Sequence, residues 1–197
     1  MPYICIFFRK FVHFRIRKVM KYLIYFLAII FLLGINIGLF GYIPFYGQIP
    51  NLLLLFACFF AMEKQSYDGF YVCLFAGLFL DFFSTQFFGG FTVAFLSLGL
   101  VLHLMFNYFL AMEVNWKMLG GVLCAVLILF YGSLWIYGFL VYKFNLAHSY
   151  LSLADYSRNL LPALVYNLLL MYPIYIFYET LQEWVEKLLI RQRGVIK

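Results

Sequence analysis

The chain has 197 residues, of which 66% are hydrophobic, 23% aromatic and only 11% charged, against roughly 25% charged in an ordinary soluble domain. A water-soluble chain of this length cannot hide so much apolar surface, because its own surface needs polar cover. The composition excludes a soluble globular protein, a disordered chain and a secreted disulfide scaffold, and leaves an integral membrane protein.

The formal net charge of +6 is concentrated at one end. Residues 1–21 hold Arg9, Lys10, Arg15, Arg17, Lys18 and Lys21 and no acid, and the rest of the chain balances. A basic lead beside a membrane helix suits an anionic cytoplasmic leaflet, whereas a nucleic-acid partner is disfavoured by the composition. Cys58, Cys73 and Cys124 lie within apolar runs, and with Cys5 they form no C-x-x-C pair, so they read as buried small hydrophobes.

The first element follows Lys21. Residues 22–43 are apolar apart from Asn36, long enough to cross a bilayer and too long for the core of a signal peptide. The stretch Pro44–Pro50 breaks this helix. Two short apolar runs follow, Asn51–Met62 and Phe70–Phe83, separated by the polar stretch Glu63–Gly69. Each rises only about 18–21 Å as a helix, less than the roughly 30 Å hydrocarbon core. They predict either a helical pair extended through Glu63–Gly69 or a re-entrant hairpin enclosed by the other helices. After a turn at Ser84–Gly90 come full spans at Phe91–Met112 and Met118–Tyr142, divided by the polar Glu113–Lys117. A polar connection, Lys143–Asn159, leads to the last span, Leu160–Tyr178.

The expected fold is therefore an all-α polytopic membrane protein of about six helices. A basic lead (1–21), a transmembrane domain (22–178) and an amphipathic tail (179–197) make up the chain. With the N-terminus inside, the inner side holds the six lead residues, Lys64, Lys117, Lys187, Arg191, Arg193 and Lys197, and the outer side only Lys143 and Arg158. That asymmetry predicts that both termini are cytoplasmic. In the tail, Leu181, Trp184, Val185, Leu188 and Leu189 recur at helical spacing, the pattern of a helix lying on the inner leaflet with Trp184 at the interface.

Polar groups within lipid are costly and ask for an explanation. Asp81 is the one acid inside an apolar run. Gly69, Cys73, Gly77 and Asp81 repeat every four residues, placing small residues and a carboxylate along one helical face where a neighbouring backbone can approach. Asp81 then bonds to a neighbour, caps the turn that follows it, or meets a partner or ligand. Gly99, His103 and Asn107 share a face in the next span, and Gly34 and Gly38 form a G-x-x-x-G beside Asn36; helix packing and interhelical hydrogen bonds account for such patterns. Asn167 lies within the last span. The chain carries no H-E-x-x-H, G-x-S-x-G or P-loop, and His13, His103 and His148 fall on separate segments. No catalytic residue, metal site or cofactor is expected.

The stretch 50–90 carries a resemblance. Pro50-Asn-Leu-Leu-Leu-Leu55 opens a short helix, Gly69 begins the next, Gly77-Leu-Phe-Leu-Asp81 closes it, and Gly89 follows the turn. This resembles the rod shape-determining MreD family, which shows a P-D-L-L-L-like opening and a G-L-x-x-D followed by a glycine turn. Asn51 stands where that family usually has Asp, and the basic lead is longer than usual; Met20 precedes Lys21 in the manner of a start. The resemblance implies a non-enzymatic subunit of the bacterial cell-elongation machinery. It would partner an MreC-like protein and, through it, MreB, RodA and a transpeptidase, with membrane lipid around it and no nucleic acid. The family is similar in architecture to the substrate-binding subunits of energy-coupling-factor vitamin transporters, which supplies the alternative of a small-molecule-binding subunit.

Overall fold

The computed structural model describes residues 2–42, 44, 48–63, 68–84, 88–109, 116–144 and 153–194, with side chains described for 19–42, 44, 48–63, 68–84, 88–107, 119–144 and 157–188. Among the described residues six helices carry the architecture: α1 (Pro2–Gly38), α2 (Leu52–Ala61), α3 (Asp68–Phe83), α4 (Gly90–Leu104), α5 (Trp116–Lys143) and α6 (Leu153–Gly194). A π-helical turn, Met105–Phe109, continues α4. The connections 64–67, 85–87, 110–115 and 145–152, His148 among them, lie outside the described residues, as do the side chains of Cys5, His13 and Asp155. The protein is an all-α polytopic membrane protein.

Among the described residues four stretches are long and apolar enough to cross a membrane: Val19–Gly38, Gly90–Asn107, Leu119–Lys143 and Ser157–Leu188. Their apolar residues are exposed on one side, as at Leu23, Leu27, Val93, Leu129 and Leu169, the arrangement expected of side chains that meet lipid. The short α2 is different. All ten of its residues are buried, so the other helices enclose it on every side. α2 is a ten-residue helix wrapped in protein, and protein cover is what a segment too short to span the hydrocarbon core needs. α3 is two-faced instead, burying Gly69, Val72, Cys73, Ala76, Gly77 and Asp81 while Phe70, Tyr71, Phe75, Phe82 and Phe83 stay exposed.

Two boundaries differ from those expected of the sequence. The basic lead is helical and continuous with the first span. The helix of the last span, expected from Leu160, begins at Leu153 and continues through the tail to Gly194, with Pro162 and Pro173 inside it. A membrane supports such prolines because neighbouring groups re-satisfy the freed backbone. In the tail Val185 is buried in the core while Trp184 is 64% exposed, so this part of α6 packs against its own protein along one edge.

The core is built around α2. Phe56 and Phe60 lie edge to face, Tyr25 of α1 meets Phe60 with ring centroids 4.6 Å apart, and Tyr178 of α6 meets Phe60 at 4.9 Å. Such edge-to-face pairs add to the burial of large aromatic area. On the other side Phe95 of α4 meets Phe130 of α5.

Candidate functional site

The residues that carry the family resemblance converge on the α2–α3–α4 unit. Asn51 caps α2: its side chain accepts the Leu54 amide at 3.0 Å, satisfying one of the donors that a helix start leaves over. Its own main-chain amide donates to Asn167 Oδ1 of α6 at 2.9 Å, and Asn167 Nδ2 donates to the Ala163 carbonyl at 2.7 Å. Asn167 is 0% exposed, so this amide reaches across from α6 to fix where α2 begins. Pro50, buried just before the cap, brings no N–H that would need a partner there.

The glycines set the closeness of the helices. A Cβ on Gly69 would stand 2.6 Å from the Ala61 Cα and the Phe60 carbonyl oxygen, and one on Gly77 would stand 2.6 Å from the Thr92 Cα. α3 therefore crosses α2 at Gly69 and α4 at Gly77 with backbone against backbone, which only a residue without a Cβ permits. Between them Cys73 faces Gly99 of α4, where a Cβ would come within 2.9 Å of its Sγ.

Asp81 finishes the face. It is 3% exposed, and its carboxylate accepts the Phe91 amide through Oδ1 and the Thr92 amide through Oδ2, both at 2.9 Å, as well as the Thr92 hydroxyl. These amides belong to the first turn of α4, whose own N-cap is Gly89, with φ of +96° and no side chain to offer. The cap is supplied from α3 instead, and the negative charge lies at the positive end of the α4 dipole. Tyr137 of α5 closes over the same corner, donating to the Phe88 carbonyl at 3.3 Å and lying against Gly90.

The remaining polar residues expected to matter are scattered. His103 and Asn107 pair along α4, with Asn107 Nδ2 3.0 Å from a ring nitrogen of His103. A Cβ on Gly34 or Gly38 would meet nothing within 4 Å, so this G-x-x-x-G makes no close approach within the described chain. Asn36, by contrast, is buried.

A second polar constellation, which the sequence did not suggest, gathers where α1 enters its apolar stretch and α6 leaves its own. Lys21 of α1 pairs with Asp68 at the start of α3, and Tyr22 donates to the same carboxylate at 3.1 Å. Tyr25 donates to Gln182 Oε1 at 2.9 Å, and Gln182 Nε2 donates to Glu63 Oε2 at 3.1 Å. Four helices are thus joined through α1, α3, α6 and the end of α2. Burial pushes the Glu63 carboxyl above its ordinary value, Asp68 and Glu186 push it the same way, and Lys21 and the Gln182 hydrogen bond oppose them. The only sequence signal is that a basic residue ends the lead and acids border the short runs; which of them meet is a tertiary matter.

Among the described residues no three His, Cys, Asp or Glu side chains are placed to hold a metal ion. No protein-family model, curated protein or solved structure matches the chain.

Proposed function

We propose that the chain is a non-enzymatic integral membrane subunit of the bacterial cell-elongation complex, placed in the inner membrane with both termini cytoplasmic, supporting peptidoglycan synthesis and rod shape by binding an MreC-like protein. The observation that carries the reading is how the residues of the resemblance are spent. Asn51, Gly69, Gly77, Asp81 and Gly89 all cap or pack the α2–α4 unit, and a rigid unit of this kind is what a scaffold needs from its motif. MreB, RodA and a transpeptidase would be reached through the MreC-like partner.

One feature favours the second reading, a small-molecule-binding subunit of an energy-coupling-factor-type transporter. α2 is a short helix that starts at a buried residue, Asn51, inside the bundle, and helix ends at membrane depth form substrate sites in transporters. Affinity purification of the full chain from native membranes separates the two. Capture of an MreC-like protein is expected; capture of a pair of ATPase subunits, without it, overturns the proposal.

A further inference from the structure

The amide of Asn36 stands apart from every other buried polar side chain. It is 9% exposed, and its Oδ1 is, among the described residues, the one buried side-chain polar atom with no hydrogen-bond partner. An unpaired amide in a membrane core is expensive and asks for an occupant.

Its position is fixed by register. Tyr25, Ala28, Ile29, Leu32, Leu33 and Asn36 are all buried, a stripe at helical spacing that forms the inward face of α1. Tyr25 on that face packs on Phe60 of α2. From this contact α1 climbs about 16 Å to Asn36, and α2, traced backwards, climbs about 14 Å to Asn51, at 1.5 Å per residue. The Asn36 amide thus reaches the level at which α2 begins. The Leu54 amide is taken by the Asn51 side chain and the Leu55 amide by the Asn51 carbonyl. The amides of Leu52 and Leu53 come before the first N–H of α2 that has an intrahelical acceptor.

We propose that Asn36 and the first turn of α2 form a binding site for a hydroxyl group held in the membrane core. A hydroxyl donates to the Asn36 oxygen and accepts from the main-chain N–H groups of α2, and it can do both in a site with no charge of its own. The hydroxyl belongs either to an ordered water or to a small neutral alcohol or polyol. Nothing here depends on the partner named above, so failure to capture an MreC-like protein leaves the site untouched.

The test uses the full chain in nanodiscs. A high-resolution structure is expected to show density within hydrogen-bond distance of the Asn36 amide. Native mass spectrometry then assigns the source: an adduct lost in Asn36→Leu marks an organic solute, and density without an adduct marks water. Asn36→Leu should also lower the melting temperature, by about 2–4 °C, because the α2 amides lose their acceptor. An Asn36 amide bonded directly to a protein group with no added density overturns the proposal. So does a rise in melting temperature with Asn36→Leu, the result expected when a merely unpaired polar group is replaced by an apolar one.

Discussion

Asp81, at the end of α3, caps a helix that is not its own: its carboxylate takes both the main-chain amide and the hydroxyl of Thr92, in the first turn of α4. Together with the Phe91 amide, this makes three hydrogen bonds to one buried charge. Asp81→Asn keeps the size and loses the charge, and should destabilise the protein by about 1–2 kcal/mol. Asp81→Leu strands the amides as well and should cost about 3 kcal/mol. Thermal unfolding in detergent measures both. A Leu variant as stable as the parent would show that the cap contributes nothing.

The glycines make a matched set of controls. Gly69→Ala and Gly77→Ala drive a methyl into backbone at 2.6 Å and should each destabilise by about 1–3 kcal/mol. Gly34→Ala has nothing within 4 Å and should be neutral or slightly stabilising, since alanine is the better helix former. Crosslinking between copies, run beside the melting curves, shows whether Gly34→Ala loosens an association between chains that the melting curve does not report.

Much of this unit was legible in the sequence, and the reason is periodicity. Gly69, Cys73, Gly77 and Asp81 advertise one helical face by their four-residue spacing, and that face is buried against α2 and α4. Asp81 was readable as a cap because a glycine turn follows it; that the donor turn lies at Phe91 and Thr92 was not, since nothing local ties residues ten positions apart. The enclosure of α2 was only half readable. Its shortness left a helical pair extended through Glu63–Gly69 or a re-entrant hairpin open, and the residues that surround it come from α1, α3, α4 and α6. The Lys21–Asp68 and Gln182–Glu63 contacts were invisible for the same reason: each partner looks like an ordinary polar residue at the edge of an apolar run, and only the fold makes them a cluster.

Glu63 predicts a pH response. Its carboxyl is raised above the ordinary 4.5 chiefly by burial, so the folded protein holds this proton more tightly than the unfolded chain. Stability then falls as pH rises from about 4.5 through the raised folded value. Groups facing it are Lys21, Asp68, Gln182, Glu186, Tyr25 and Tyr178. Glu63→Gln keeps an acceptor for Gln182 without the titration, and should flatten the dependence of melting temperature on pH between about 4.5 and 7 while raising stability at the upper end. An unchanged pH profile in Glu63→Gln would remove Glu63 as the source.

Orientation follows from the asymmetry of basic residues, with six of them in the lead alone and only Lys143 and Arg158 expected outside. Reporter fusions at residues 18 and 197 should both read cytoplasmic, and a fusion near residue 149 should read external. A cytoplasmic signal near residue 149 would break the topology.

The proposed role in cell elongation is tested most directly by depleting the chain in its own host. Cell shape and the membrane level of the MreC-like protein are followed together as the chain is lost. Rods should round up, and wild-type chain supplied in trans should restore them. Cells that keep their rod shape and normal elongation after complete depletion would contradict it.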